Sequence, residues 1–134
     1  MKVTILGSGG QIGAYLSDYL TEKGHAVVGI DVVDGPHNDL RVTPNTYVES
    51  AIESADFVFF LAFDVGGSRY LKKYQHTFEF VNNNTRIMAN TFRLLKKYNK
   101  QFVFASSQMS NMSYSPYGVM KRVGELHTTA LKGL

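Results

Sequence analysis

Directly behind a short apolar run, KVTIL at residues 2–6, the chain reads Gly7-Ser8-Gly9-Gly10-Gln11-Ile12-Gly13 and passes at once into helical spacing. Strand, glycine turn and helix in that order constrain the fold more than any other feature. A glycine at 7 permits a tight turn, one at 10 lets backbone approach a pyrophosphate, and one at 13 lets the helix pack closely on the strand. The amides around Gly10–Ile12 then point at phosphate with the helix N-terminus behind them. Taken alone, such a turn is equally a flexible connection. It is followed by a second strand-like run, HAVVGID, which ends in Asp31, 18 residues past Gly13. An acid at that point accepts hydrogen bonds from the ribose hydroxyls of an adenosine, and it repels a 2′-phosphate, so the expected cofactor is NAD, with NADP disfavoured. No G-x-x-x-x-G-K-[ST] motif is present, which excludes a P-loop nucleotidase.

The rest of the chain continues the alternation. Gln11–Lys23 has helical spacing through Ile12, Tyr15, Leu16, Tyr19 and Leu20 and ends at Gly24. Residues 34–41 are loop-like, with room for a short third strand. Thr43 and Pro44 form an N-cap and first-turn pair that opens a helix to about Ser54. Residues 56–62, DFVFFLA, are nearly all apolar, as in a parallel strand buried on both faces. Residues 71–97 are largely helical, with an expected interruption near Val81–Asn84. QFVFAS at 101–106 is another buried strand, and Ser115-Pro116 starts a last helix through Tyr117, Met120, Val123, Leu126 and Ala130. The pattern predicts an α/β fold. Its form is a doubly wound parallel sheet (Rossmann fold) of about five strands with helices on both faces.

A second chemical constellation lies near the end. The last predicted strand runs into Ala105-Ser106-Ser107, and the last helix opens Pro116-Tyr117-Gly118-Val119-Met120-Lys121. Tyr117 and Lys121 are four apart and share a helix face. A tyrosine is a poor base near neutral pH, but a lysine ammonium beside it stabilises the phenolate. Such a tyrosine can move a proton to or from a substrate hydroxyl, while a serine at a neighbouring strand end holds the same oxygen. Tyr/Lys pairs at this spacing are common on surface helices. The buried strand ending in two serines and the dinucleotide turn favour the chemical reading.

Composition closes off other classes. With 134 residues, 44% of them hydrophobic, the chain makes one globular domain. It has no cysteine, which excludes disulfides, thiolate metal sites and a cysteine nucleophile and fits a reducing compartment. His25, His37, His76 and His127 show no ligand spacing, so no metal is expected. No run approaches the roughly 18–20 apolar residues of a membrane span, and the N-terminus has no signal-peptide core, so the expected location is cytoplasmic. The net charge of +3 hides an asymmetry: residues 1–68 hold three basic and nine acidic groups, residues 69–134 eleven basic and two acidic. A basic half can bind nucleic acid or be a solvated helix face. No zinc-finger, RNP or helix-turn-helix signature supports nucleic acid.

The chain resembles the short-chain dehydrogenase/reductase family, in its extended branch of nucleotide-sugar epimerases, dehydratases and reductases. The resemblance rests on GSGGQIG (7–13), Asp31, Asp39-Leu40-Arg41, DFVFFLA (56–62), the 82–85 run NNNT, FVFASS (102–107) and YGVMK (117–121), in the family's order over residues 1–125. LAFDVGG (61–67) followed by NNNT is similar to the branch acting on GDP-sugars. The resemblance implies that Gly7, Gly10, Gln11, Ile12 and Gly13 line the pyrophosphate and that Asp31 holds the adenosine ribose. Asp39 and Leu40 would border the adenine, and Leu61, Ala62 and Phe63 would flank the cofactor. Asn83 would be the structural asparagine of the long helix, with Asn82 and Asn84 leaving the register open. Ser107, with Ser106 as the alternative, would bind the substrate oxygen. Tyr117 would be the acid/base, and Lys121 would bind the nicotinamide ribose and tune Tyr117.

Two departures qualify this. Ser107 and Tyr117 are only ten residues apart, where the family has a longer connection. Only 13 residues follow Lys121, where the family continues into further strands and a sugar-nucleotide domain. The expectation is therefore a NAD-binding Rossmann domain over residues 1–134 without the family's C-terminal substrate domain. Its function is that of a nucleotide-sugar epimerase/dehydratase-like enzyme, or else of a non-catalytic NAD-binding module acting as sensor or assembly partner. An exposed apolar edge on the last strand, together with the family's habit of pairing through the neighbouring helices, implies a homodimer.

Overall fold

The computed structural model describes residues 1–65, 68–112 and 114–134. Gly66 and Gly67, which end the LAFDVGG stretch, and Ser113, within the Ser107–Tyr117 connection, lie outside the described residues. Four strands, β1 (Lys2–Leu6), β2 (Ala26–Ile30), β3 (Phe57–Phe60) and β4 (Gln101–Phe104), form one all-parallel sheet in the order β2-β1-β3-β4. The segment at 34–41 holds no strand. It folds as two short 3-10 turns, Val32–Asp34 and Pro36–Asn38, because Asp31 caps the first and Gly35, at φ 122°, and Pro36 open the second. The sheet therefore has four strands where about five were expected.

Among the described residues, five α-helices connect and flank the strands: α1 (Gln11–Glu22), α2 (Thr46–Glu53), α3 (Ser68–Tyr74), α4 (Phe78–Lys97) and α5 (Pro116–Ala130). Among the described residues, no helix is long and apolar enough to cross a membrane. α2 starts two residues later than the Thr43-Pro44 signal. Asn45 is the true cap: its side-chain oxygen accepts from the Val48 amide at 3.1 Å while its Nδ2 donates to the His37 and Asp39 carbonyls. The interruption expected near Val81–Asn84 falls instead between α3 and α4, at 75–77, where Thr77 caps α4 by accepting from the Phe80 amide. Ser115 and Pro116 do begin α5, with Ser115 Oγ accepting from the Gly118 amide at 3.2 Å.

The two faces of the sheet are covered unequally, and period-2 alternation shows why. Leu6, Ile30, Val58, Phe60, Phe102 and Phe104 point to one side and are packed under α2, α4 and α5 with Val48, Ile52, Met88, Phe92, Leu95 and Met120. Phe60, Phe92 and Phe104 meet there edge-on or tilted at 5.2–5.6 Å, the geometry that ring quadrupoles favour. Thr4 joins this side by donating to the Ala51 carbonyl at 2.8 Å. The opposite face carries Val3, Ile5, Phe57, Phe59 and Val103. Val3 and Ile5 are buried, whereas Phe57, Phe59 and Val103 remain half-buried. The free side of β4 is engaged at one point. Leu134 donates to the Phe102 carbonyl at 2.9 Å and accepts from the Phe104 amide at 2.6 Å, the bond pattern of a parallel bridge about Val103.

Candidate functional site

The chain leaves β1 towards β2 on one side and returns to β3 on the other, so the carboxyl ends of β1 and β3 flank the switch point where open α/β sheets bind ligands. A cavity of about 560 Å³ opens there, within the 300–1,000 Å³ typical of small-molecule sites. Its walls include Gly7, Gly10, Gln11, Ile12, Gly13, Asp31, Asp39, Leu40, Leu61, Ala62 and Phe63, all singled out from the sequence. The structure thus gathers eleven residues from four segments around one space. It adds Asn38, Arg41, Asp64, Val65, Ile87 and Ala105 to the lining.

The glycine turn is built around Asp31. Gly7 has a φ of 93°, and its amide donates to the Ile30 carbonyl at 2.7 Å, which ties the turn to the end of β2. α1 begins at a glycine N-cap with no side-chain bond, so no side chain competes for the helix N-terminus. The Asp31 carboxylate accepts from the Gly9 amide at 2.8 Å with one oxygen and from the Val33 amide at 3.2 Å with the other. A Cβ on Gly9 would sit 2.9 Å from that carboxyl group. Gly9 was not among the sequence candidates, and no local pattern marks it: it is glycine because a side chain 22 residues away closes on it. Each carboxylate oxygen keeps a lone pair, so Asp31 can still accept a hydroxyl donor from the cavity.

The 36–41 loop forms the neighbouring wall. Asn38, 6% exposed, accepts from the Asp31 amide, and Asn90 on α4 donates to the Leu40 carbonyl at 2.9 Å. Arg41 grips Asp39 through Nε at 2.9 Å and Nη2 at 2.8 Å, a bidentate pair that holds the Asp39 carboxyl below its usual range. The exit of β3 is anchored by an asparagine. Asn84 is fully buried, accepts from the Asp64 amide at 2.6 Å and donates to the Asp64 and Phe80 carbonyls. Asn83 is half-buried and donates to the Asp64 carboxylate at 3.0 Å. The structural role expected of Asn83 is filled one residue later.

Tyr117 and Lys121 lie beside this cavity, against its wall residue Phe63, and neither they nor Ser107 are on its walls. Lys121 is 4% exposed, and its Nζ donates to the Ala105 carbonyl at 2.8 Å. The Phe63 ring lies 4.0 Å from that ammonium, with the Phe104 and Tyr117 rings at 5.0 and 5.8 Å. Burial pushes the Lys121 amine down to about 8. Tyr117 is half-buried and meets Phe63 edge-on at 5.7 Å. The two candidate serines have separate fates. Ser106 is exposed and donates to Glu125 at 2.7 Å, whereas Ser107 Oγ accepts from the Met109 amide at 3.1 Å and retains its own proton for donation. Gln75, unmarked in the sequence, accepts from Ser115 Oγ and from the Tyr117 amide, and so holds the start of α5. Among the described residues there is no cluster of metal-ligating side chains.

The model of the NAD dependent epimerase/dehydratase family matches residues 3–133. The chain is 30% identical over 120 residues to GDP-mannose 3,5-epimerase of Arabidopsis thaliana, an alignment covering 80% of this chain and 31% of that protein. It is 29% identical over the same length to GDP-mannose 3,5-epimerase 1 of Oryza sativa subsp. indica, with the same coverage. Its fold is similar to a UDP-galactose 4-epimerase, at a TM-score of 0.76 and 22% identity, over 97% of this chain and 51% of that one. It is likewise similar to a GDP-L-fucose synthetase from Naegleria fowleri solved with NADP bound, at 0.75 and 15%, over 98% of this chain and 47% of that one. The chain spans less than a third of the length of the curated relatives and about half that of the structural ones.

Proposed function

This chain belongs to the NAD dependent epimerase/dehydratase family, and from that premise we propose that it is the NAD-binding part of a nucleotide-sugar epimerase, dehydratase or reductase. The observation that carries the reading is the cavity itself, where an uncapped helix N-terminus and the Asp31 carboxylate face one space of about 560 Å³. Those two features suit the two ends of an ADP group, phosphate at the helix and ribose hydroxyls at the acid. NAD is favoured over NADP, since a 2′-phosphate would stand against Asp31, whose acceptor-only carboxylate repels it.

The residues fit the cofactor by their donor sets, and each has a definable task. The bound dinucleotide would supply the hydride acceptor and donor. The Gly10–Gly13 backbone would orient the pyrophosphate, and Asp31 would fix the adenosine ribose. Tyr117 Oη would take or return the proton of a sugar hydroxyl. Ser107 Oγ would donate to the same oxygen, and Lys121 Nζ would favour the phenolate by its charge. The substrate class proposed is a nucleoside-diphosphate sugar.

Titration calorimetry with NAD, NADP, and GDP- and UDP-sugars tests this directly. NAD is expected to bind at least about tenfold more tightly than NADP, a difference of about 1.4 kcal/mol. Asp31→Asn should narrow that gap. Absence of NAD binding by the folded chain would overturn the reading. A second reading, a NAD-binding module without chemistry, is supported by the cavity walls, which leave out Ser107, Tyr117 and Lys121. Tyr117→Phe separates the two: it abolishes turnover of a nucleotide sugar under the first and changes nothing measurable under the second.

A further inference from the structure

The first turn of α5 is completed by a side chain that belongs neither to α5 nor to its cap. The opening turn of a helix leaves N–H groups without a partner inside the helix. In α5 the first residue, Pro116, has no N–H to satisfy. The Gly118 amide donates to Ser115 Oγ at 3.2 Å, and the Val119 amide makes the first bond of the turn, to the Ser115 carbonyl at 2.9 Å. That leaves the Tyr117 amide, and it donates to Gln75 Oε1 at 3.3 Å. Gln75 is half-buried in the junction between α3 and α4, with its own amide bonded to the Leu71 carbonyl. The same Oε1 accepts from Ser115 Oγ at 2.9 Å. Ser115 is 2% exposed, and its hydroxyl accepts from Gly118 while giving its proton to Gln75. The direction of the cap therefore depends on the same oxygen. An amide N–H only donates, so the Tyr117 bond also fixes which end of the Gln75 amide faces α5.

Tyr117 is the second residue of α5, and helices fray at their ends. Lys121 stands one turn further in and is tied to the end of β4 by its bond to the Ala105 carbonyl. The placement of the Tyr117 ring, edge-on to Phe63 and 5.8 Å from the Lys121 ammonium, thus depends on the first turn staying closed. We propose that Gln75 is a positioning residue for Tyr117: its side-chain oxygen closes that turn from outside the helix and so holds the ring in register with Lys121. The proposal rests on the reading of Tyr117 as the acid/base of a nucleotide-sugar enzyme, and it adds a group outside the Ser/Tyr/Lys constellation on which the proton transfer depends. The role requires one acceptor oxygen at that reach. Glutamate supplies it, and its charge suits a helix N-terminus. Methionine matches the length with only a weak acceptor, and asparagine keeps the amide but is one methylene short.

Two measurements on the full chain test this, one of placement and one of turnover. The NMR ring signals of Tyr117, assigned by their loss in Tyr117→Phe, are displaced by the Phe63 ring beside them. In Gln75→Met and Gln75→Asn they should move towards the positions of an unstructured tyrosine, while unchanged amide signals of β1–β3 report an intact fold. In Gln75→Glu they should stay in place. With a nucleotide sugar, kcat should fall about tenfold or more in Gln75→Met and Gln75→Asn with KM within about twofold, and Gln75→Glu should keep at least about half of kcat. Ring signals that do not move in the Met and Asn variants would overturn the proposal, and so would an equal displacement in Gln75→Glu. Should neither loss variant fold, the unmodified chain decides: its Tyr117 amide should exchange with solvent about tenfold or more slowly than in an unstructured peptide, and free exchange would overturn the proposal. Ring signals that behave as stated in a chain that turns over no nucleotide sugar have a different meaning: the positioning stands, and the reading of Tyr117 as acid/base falls.

Discussion

Lys121 shows how much a single side chain can cost the fold that holds it. Its amine is buried among rings with one hydrogen bond, and desolvation lowers its affinity for a proton from the usual 10.5 to about 8. The folded state therefore holds that proton less tightly than the unfolded chain does. The penalty is present in full below about pH 8 and is relieved as the pH rises towards the unfolded value of about 10.4. Replacing the charge with an apolar side chain of similar length should stabilise the protein near neutrality. Lys121→Met is expected to gain about 2 kcal/mol at pH 7 after allowing for the lost bond to Ala105. That gain should shrink towards zero by pH 10, as read from urea unfolding at fixed salt. A gain independent of pH would mean that the charge is not what the burial penalises. Placement was legible where a local motif marked it: Asp31 stands at the cavity, and Tyr117 and Lys121 are neighbours on α5. It was not legible where the contacts lie far along the chain: the Gly9 amide meets Asp31, and the Phe63 ring meets Tyr117 and Lys121 of α5. Three consecutive asparagines offer no local clue to phase, so only packing could single out Asn84.

α5 is the element that carries Tyr117 and Lys121. Its start is held from three directions. Ser115 caps it, Gln75 receives the Ser115 hydroxyl and the Tyr117 amide, and Gly118 presses under the turn at 108–111. A Cβ on Gly118 would run into the Met109 carbonyl oxygen and reach 3.1 Å from that of Met112. Gly118→Ala should therefore cost about 2 kcal/mol or more, despite the better helix propensity of alanine. The accompanying change in amide shifts should concentrate at residues 107–112 rather than along α5. A stabilised variant would show that the close approach is relaxed in solution. The beginnings of α1 and α5 were readable because a glycine turn and a Ser-Pro pair are local signals. The start of α2 was not, because Thr43-Pro44 and Asn45 compete for the same role, and Asn45 prevails through its bonds to the 37–39 backbone. An interruption was expected near Val81–Asn84, a stretch where asparagine side chains can compete with the backbone for hydrogen bonds. Here two of those side chains find partners at Asp64 and the helix runs on.

For the whole molecule, the charge asymmetry of the two halves becomes a set of ties across the fold. Lys97 reaches Glu49 at 2.6 Å, Lys100 donates to the Glu53 and Ala55 carbonyls, and Arg93 donates to Thr43. Three of the eleven basic groups that could suggest a nucleic-acid surface are thereby bonded to residues 43–55. Part of what stays exposed is apolar. Val119, Val123 and Leu126 share one stripe of α5 at 36–55% exposure. On the thinly covered sheet face Phe57, Phe59 and Val103 are half-buried. Self-association through α5 is the outcome expected of such a stripe. Sedimentation at micromolar concentration should show a dimer that Val123→Glu converts to monomer, and a monomeric unmodified chain would contradict this. The pattern of strands was enough to reveal a parallel sheet wound both ways. The number of strands was not, because whether the 34–41 segment pairs is decided by Asp31, Asn38 and Asn45 together. The polarity of that sheet also has a practical side. Every strand runs the same way, so Met1, whose amine meets His25 at 3.2 Å, lies at the end opposite the cavity, about 17 Å away along the five residues of β1. A biosensor surface coupled through the amino terminus would therefore hold each molecule with its mouth towards the flowing solution. Coupling through Leu134 would pull on the two bonds that Leu134 makes to β4.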